Sequence, residues 1–429
     1  MSISLLIALA IRLPIVQELT PYRTEIVTPI HQDSFNKGGK AKKRMQGGNP
    51  RTVNGILMFD GSSDGDRQVD PQIAVGGGYV LHGTNGGIVI YDKQGNYVDG
   101  VPQAEFNNGI DPKLFFDPHN RVFGFDMWVY WDKPKVKPVN ISISETSDPR
   151  GAWNTYPVSA TNGVDGGGIG YSRKWVGYSY PGGPEPSFVM KMDEVKKGKP
   201  ATVYHFGKSL GQPVYNQDAS DDLRFVDLTD DEIIITTVSE DRNGSPHVSS
   251  VVRAHHRFPY FDWPPESPMK DTDAKTASGD RNPKNIVQQG NNIWFSQTVK
   301  VDGRAGIQWH QVRLDGKIIQ SGLLASPTTS YIQTTVAVNK HKDLLVGFQE
   351  TGKNMFISGR CAYRKVGDLS GKLRPIMKLA EGKAATLGGP WGDYSGSVID
   401  GDNLTDLWTI QSIATEKGHG GTVIARIKP

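Results

Sequence analysis

Seven times along the chain a polar residue opens a short apolar run that ends in a turn, and successive openings lie 41 to 60 residues apart. The runs are Asp70-Pro-Gln-Ile-Ala-Val, Asp111-Pro-Lys-Leu-Phe-Phe, Asp165-Gly-Gly-Gly-Ile-Gly, Asp222-Leu-Arg-Phe-Val-Asp, Asn282-Pro-Lys-Asn-Ile-Val, Gln333-Thr-Thr-Val-Ala-Val and Asp393-Tyr-Ser-Gly-Ser-Val. A repeat of this length holds one four-stranded sheet with variable loops, and radial repetition of such sheets protects edges that would otherwise pair with other chains. Between the openings lie further strand-like runs, among them Glu232-Ile-Ile-Ile-Thr-Thr and Asn292-Ile-Trp-Phe-Ser, each bounded by Gly, Asp, Asn or Pro. Fifty glycines and 27 prolines supply the turns, and helical periodicity is confined to a turn at Met192 to Lys197.

Only 36 residues follow Asp393, enough for about three strands, while Asn54-Gly-Ile-Leu-Met-Phe precedes the first repeat and can complete the last sheet. The expected fold is all-β: one seven-bladed β-propeller over residues 52–429, closed by strand exchange between the N- and C-terminal segments. Tandem β-sandwiches would need a mid-chain linker that the sequence lacks. Ahead of the propeller, residues 1–20 read as a possible signal peptide, because the apolar run Ile3 to Ile11 has the length of a signal core and is too short to span a bilayer. Residues 21–51, with Lys37, Lys40, Lys42, Lys43 and Arg44 among glycines, read as a flexible basic leader. The expectation is a secreted or extracytoplasmic monomer without membrane insertion. A formal charge of +3 disfavours a general nucleic-acid partner, and the single Cys361 excludes an intramolecular disulfide and a multi-cysteine zinc site.

In a propeller the first strand of each sheet is innermost, so the alignment gathers Asp70, Asp111, Asp165, Asp222, Asn282, Gln333 and Asp393 around one mouth of the central channel. Lys113, Arg224, Arg281 and Lys284 stand within two residues of ring members. Three readings of the ring are open. The side chains can cap strand ends and bond between neighbouring blades. Asp70, Asp111 and Asp393 can supply hard oxygens to Ca²⁺. Alternatively, crowding raises the pKa of one carboxylate and makes it an acid or base. Asp70, Asp111, Asp222 and Asp393 are the carboxylates for hydrolysis; Tyr394 or His82 is the base for an elimination, with Arg224 or Arg281 neutralising a uronate.

Histidines form no metal-ligand run; His255-His256 reads as a surface pair and His119 as part of a turn. Aromatic residues crowd the second and third repeats. Most belong to packing, but Trp131 and Tyr180 are candidates to stack on sugar rings. The Tyr180 to Pro186 loop and the Arg257 to Pro268 segment are candidate mouth walls.

Asp70-Pro-Gln-Ile-Ala-Val-Gly with Tyr91-Asp-Lys-Gln-Gly, then Asp111-Pro-Lys-Leu-Phe-Phe-Asp, Ile143-Ser-Glu-Thr-Ser-Asp-Pro-Arg-Gly-Ala-Trp and Trp391-Gly-Asp-Tyr-Ser-Gly-Ser, resemble a widespread group of secreted bacterial β-propeller proteins. The motif order matches over roughly residues 54 to 429. The resemblance implies fold and export and supplies no catalytic residue, and Gly166-Gly-Gly-Ile-Gly-Tyr departs from the usual start of the third repeat. The functional expectation is a propeller that binds a polysaccharide at the central mouth and cleaves it as hydrolase or lyase. The alternative is a non-catalytic glycan- or protein-binding propeller with a structural or calcium-filled ring.

Overall fold

The computed structural model describes residues 20–32, 47–62, 70–102, 106, 109–129, 139–160, 166–180, 185–256, 258–386, 391–415 and 419–429. Among them the regular structure is almost entirely strand, with one short α-helix at Met192–Lys196 where the sequence suggests a helical turn. Residues 1–19, where the signal peptide is expected, lie outside the described residues, as do Trp131, Asp165 and Arg257.

The strands form antiparallel four-stranded meanders in sequence order. Sheet 1 comprises Gln72–Gly76, Tyr79–Thr84, Gly87–Asp92 and Tyr97–Pro102; sheet 2, Ile110–Asp117, Val122–Trp128, Val139–Ser144 and Trp153–Val158. Sheet 3 comprises Gly168–Tyr171, Trp175–Ser179, Ser187–Lys191 and Ala201–Phe206; sheet 4, Gln212–Pro213, Leu223–Leu228, Glu232–Glu240 and Pro246–His255. Sheet 5 comprises Ile286–Gln289, Asn292–Val301, Arg304–Arg313 and Ile318–Leu324; sheet 6, Ser330–Val338, Leu344–Gly352, Met355–Arg364 and Met377–Ala380. In sheet 7, Gly396–Ile399, Leu407–Ala414 and Gly420–Ile427 are joined by Ile56–Asp60 from the other end of the chain, in the register Val423↔Asp60 to Arg426↔Leu57.

First strands meet one another. Tyr215–Asn216 bridges sheets 3 and 5 through parallel pairs, Tyr171↔Tyr215 and Tyr215↔Val287, so these strands run the same way. They approach closely enough to require glycine: a Cβ on Gly396 would stand 3.0 Å from Ile73 N, and one on Gly170 would be 2.7 Å from the Pro213 carbonyl carbon. The core is laid between adjacent sheets. Leu81 and Ile90 pack with Leu114 and Phe125 between sheets 1 and 2; Trp294 and Ile307 with Val336 and Phe348 between sheets 5 and 6; Ile73 and Val80 with Val398 and Trp408 between sheets 1 and 7. Trp153, Trp175, Tyr156 and Tyr178 are all buried, which accounts for most of the aromatic crowding.

Two sequence assignments are corrected. Asp222 does not open the first strand of sheet 4. That strand begins after Gly211, and Asp222 precedes the second strand, which runs back along it (Gln212↔Val226, Pro213↔Phe225). The polar opening had masked a Gly-Gln-Pro-Val-Tyr start that lacks an acidic residue. In addition, the stretch read as a flexible leader is partly strand. Arg23–Val27 extends sheet 3, Ile30–Gln32 extends sheet 2, and Gly48–Val53 pairs with Ile56–Asp60. Alternation in Arg23-Thr-Glu-Ile-Val puts Arg23 and Glu25 on one face, where Arg23 binds Glu185 at 2.7 Å.

An ionic knot ties sheets 1, 2 and 7 at the far ends of their first strands. The Asp402 carboxylate binds Lys93 (2.5 Å) and Arg121 (2.7 Å) and accepts the Gly77 and Gly78 N–H groups at 3.0 and 2.9 Å. These partners hold its carboxyl well below the usual carboxylate range. Asp402→Asn should therefore destabilise the fold by about 1 to 2 kcal/mol at pH 7, discounted for partial exposure. The difference from wild type should shrink steadily as pH falls below the ordinary aspartate range, because the unfolded chain takes up a proton there before the folded carboxylate does; chemical denaturation at neutral and acidic pH measures it.

Candidate functional site

Openings of the first strands share an unusual backbone. Asp70 (φ 38°), Asp111 (φ 54°) and Gln333 (φ 50°) are left-handed, a conformation that L-residues adopt only when the surroundings impose it. Gly166, Gly211 and Gly392 are left-handed as well, at 76°, 97° and 124°. Asp70 turns the chain sharply into its strand, Asp111 does so at the second residue of Ile110–Asp117, and Gln333 lies at a register shift inside Ser330–Val338. A Cβ on Gly392 would come 2.8 Å from Asp70 Oδ1.

The neighbours are laced together. Asp70 Oδ1 accepts the Asp393 N–H at 2.6 Å, and its Oδ2 accepts from Asn85 Nδ2 at 3.3 Å. Asn85 Oδ1 in turn accepts the Asp111 N–H at 2.8 Å, and Asp111 Oδ2 accepts from Trp128 Nε1 at 2.7 Å. On the other side Gln333 donates to the Gly392 carbonyl, Ser395 Oγ donates to the Gln333 carbonyl at 2.8 Å, and Gln72 Nε2 donates to the Ser395 carbonyl at 3.1 Å.

Inside this lacing sit groups that burial sets against one another. Lys113 reaches across so that its ammonium lies 4.0 Å from the Tyr394 ring centroid, while its backbone N–H bonds Asp126 Oδ1 at 2.9 Å. Asp70, Lys113, Asp126, Gln333 and Tyr394 are all at most 4% exposed. Burial, then the Asp111 charge, push the Asp70 carboxyl up to about 7. Burial likewise raises Asp126 to about 7 against the opposing pull of Lys113. Lys113 is lowered, chiefly by burial, with Lys284 contributing repulsion, and the Tyr394 phenol is held well above its ordinary value by burial and the surrounding carboxylates. The Tyr394 hydroxyl and Gln333 Oε1 are buried without a hydrogen-bond partner.

Further along the first strands, aromatic rings stack on one another. Phe115 stacks on Tyr171 at 4.6 Å, and Tyr171 on Tyr215 at 5.8 Å. Beside the buried cluster, a cavity of about 340 Å³ is lined by Gly166, Tyr180, Gly211, Gln212, Asp227, Asp280, Arg281 and Lys284. A larger groove of about 1080 Å³ lies between the outer strands of sheets 6 and 7. Its charged rim is internally paired, Arg51 with Asp60 at 2.8 Å and Lys378 with Glu381 at 3.5 Å, so the mouth, with its unmatched buried groups, is the stronger chemical candidate.

Thus Asp70, Asp111, Lys113, Asp393 and Tyr394 are brought together, and other expected residues are not. Asp222 and Arg224 lie at the opposite end: Asn216 Nδ2, at the end of the first-strand segment, donates to the Asp222 carbonyl at 3.3 Å, and Arg224 bonds Gln288 at 3.1 Å. His82 is fully buried and accepts the Ser62 N–H at 3.2 Å; burial pushes its pKa down to about 3, so it is no base for a substrate at the mouth. Tyr180 is 1% exposed, with its hydroxyl on the Glu185 carbonyl at 3.0 Å, and offers no free face for a sugar. Arg281 lines the side cavity, held by the Phe261 carbonyl at 3.0 Å and by Asp230 at 3.2 Å. His256, read as a surface residue, is buried and stacked on Phe258 at 3.9 Å. For calcium, no group of three or more His, Cys, Asp or Glu among the described residues is placed to hold a metal ion, and Asp70 and Asp111 already accept N–H donors. Sequence reasoning missed Asp126. The signal was a lone carboxylate inside Val122-Phe-Gly-Phe-Asp-Met-Trp, a run otherwise suited to burial.

No protein-family model and no curated protein matches the chain. Among solved structures it is similar to a quinonprotein alcohol dehydrogenase-like protein from Bacteroides thetaiotaomicron (12% identity, TM-score 0.43, 78% of this chain and 76% of that one). It is also similar to a DUF4623 family protein from Bacteroides eggerthii (10%, 0.40, 90% and 83%) and to the Dos1 propeller (9%, 0.39, 86% and 93%). All fall below the similarity at which a site could be read across.

The raised Asp70 carboxyl carries a stability signature. Between the ordinary aspartate value and about 7 the folded chain holds a proton that the unfolded chain has lost, so this group's contribution declines as pH rises through that window. Asp70→Asn should flatten the decline between about pH 4 and 7 relative to wild type, as read by denaturant midpoints across that range.

Proposed function

We propose that the chain is a seven-bladed β-propeller, closed by the Ile56–Asp60 strand on sheet 7, whose blind mouth cleaves glycosidic bonds of an extracytoplasmic polysaccharide by acid–base catalysis. One observation carries the reading: a buried carboxyl, Asp70, held at about 7 beside Asp111 and below unpartnered Tyr394 and Gln333 atoms. A group titrating near neutrality can be protonated in the resting site and ionised after transfer. Asp70 gives its proton to the glycosidic oxygen, and Asp111 takes one from the attacking water; Lys113 steadies the carboxylate left behind. Tyr394 stays protonated and donates a hydrogen bond to a sugar oxygen.

The second reading, a binding propeller with a structural ring, is favoured by the same lacing: Asp70, Asp111 and Gln333 all bond across sheet boundaries. The two part on one variant. Catalysis predicts that Asp70→Asn folds, melts near wild type and loses at least about 100-fold in kcat, with wild-type kcat falling as pH rises above about 7. A structural ring predicts a lowered melting temperature and no turnover to lose. New reducing ends across a panel of neutral and acidic polysaccharides measure hydrolysis; absorbance from an unsaturated uronate instead would reassign the chemistry to elimination, and neither product from wild type would sink the enzyme reading.

A further inference from the structure

The mouth is not uniform around its axis. Sheets 1, 2 and 7 present Asp70, Asp111 and Asp393, whereas sheets 3 and 4 open on Gly166 and Gly211, which have no side chain to contribute. Where those side chains are missing lies the cavity of about 340 Å³, between Gly166 and Gly211 on one side and Arg281 and Lys284 on the other. It adjoins the acidic cluster: a Cβ on Gly168 would stand 3.0 Å from Gln212 Oε1, a cavity-lining atom, and 3.4 Å from Lys113 Cδ.

Formal charges along the cavity are equal in number, Arg281 and Lys284 against Asp227 and Asp280, but the cations are incompletely matched. Lys113 and Lys284 repel each other, and Arg281 Nε is buried with no hydrogen-bond partner. Counter-charges are Asp280, on Lys284 at 3.1 Å, the outlying Asp230 on Arg281, and Asp227, which burial pushes toward its neutral form. A neutral sugar would leave the lysine repulsion and the Arg281 donor unanswered. An anionic group of carboxylate size answers both, since a planar carboxylate accepts from guanidinium and ammonium together.

We propose that this glycine-lined cavity seats the carboxylate of a uronic acid unit, fixing the substrate as an acidic polysaccharide with its scissile bond over Asp70. The assignment rests on the acid–base reading of the mouth. Lys284 and Arg281 hold the carboxylate, Gln212 bonds a ring hydroxyl, and the glycines give the sugar room to lie against backbone.

Isothermal titration at fixed salt, using trigalacturonate, trimannuronate and a hyaluronan tetrasaccharide against galactotriose, mannotriose and chitotetraose, tests it. At least one acidic oligosaccharide should bind wild type about tenfold or more tighter than its neutral counterpart. Lys284→Gln, which keeps a hydrogen bond to Asp280, should erase that preference and leave neutral binding unchanged, whereas Gly168→Val, which crowds Gln212 and Lys113, should weaken acidic and neutral binding together. Circular dichroism and melting confirm the fold of each. Neutral binding equal to acidic, or an acidic preference that survives Lys284→Gln, overturns the carboxylate seat while leaving the acid–base reading standing. No binding or turnover of any glycan by wild type overturns both.

Discussion

Everything at the mouth follows from crowding on the axis. First strands of successive sheets come so close that a methyl group is excluded at Gly170 and Gly396, and each chain must enter its strand through a turn tight enough to put Asp70, Asp111 and Gln333 in the left-handed region. That entry costs backbone energy, of order 1 to 3 kcal/mol for each non-glycine residue. The cost is tolerated because each entry is held from the next sheet: Asp70 by the Asp393 N–H, Asp111 by Asn85, Gln333 by Ser395. Strain, inter-sheet bonding and the gathering of polar side chains are one phenomenon.

Polar gathering without solvent then dictates the chemistry. Several carboxylates share the neighbourhood of Lys113, and water does not screen them, so proton uptake is the cheapest relief; Asp70 and Asp126 move to about 7 for that reason. The stacked Phe115, Tyr171 and Tyr215 rings add buried apolar surface between the first strands of the neighbouring sheets. Asp402 and its cationic partners hold the far end by full ionisation, whereas among the described residues the carboxylates at the mouth share Lys113, itself lowered by burial.

Much of this was legible in the sequence, because period and alternation are set by the same sterics that build sheets. The runs at Asp70, Asp111 and Asp393 each lead into a first strand, Gln333 marks an irregularity inside the first strand of sheet 6, and Asn54-Gly-Ile-Leu-Met-Phe pairs with the last sheet. The third and fourth repeats misled for a physical reason. Sheets 3 and 4 take their left-handed turn at glycine instead of aspartate, so Asp165 and Asp222 matched by chemistry while Gly166 and Gly211 match by conformation; sheet 5 enters past Asn282 with no left-handed residue. His82 and Tyr180 failed differently: strand position says which face a side chain takes but not how deeply the neighbouring sheet covers it. Asp126 went unseen because its partner, Lys113, stands opposite it on another strand, a pairing set by register (Asp126↔Lys113).

That distinction also explains how one ring can be both scaffold and site. A structural opening needs only the backbone turn, and Gly166 and Gly211 meet that need with no side chain at all. The carboxylates at Asp70 and Asp111 therefore add inter-sheet bonds and acidity that a glycine opening does without. Asp70 adds a buried acid to a crowded centre and Asp111 a half-buried one, and burying such a group without full compensation lowers stability at neutral pH. Glycine at all openings would give a quieter ring. Acids on one side, glycines on another and a buried lysine between them make a polarised cluster beside the glycine-lined cavity, an arrangement that the turn geometry alone does not require.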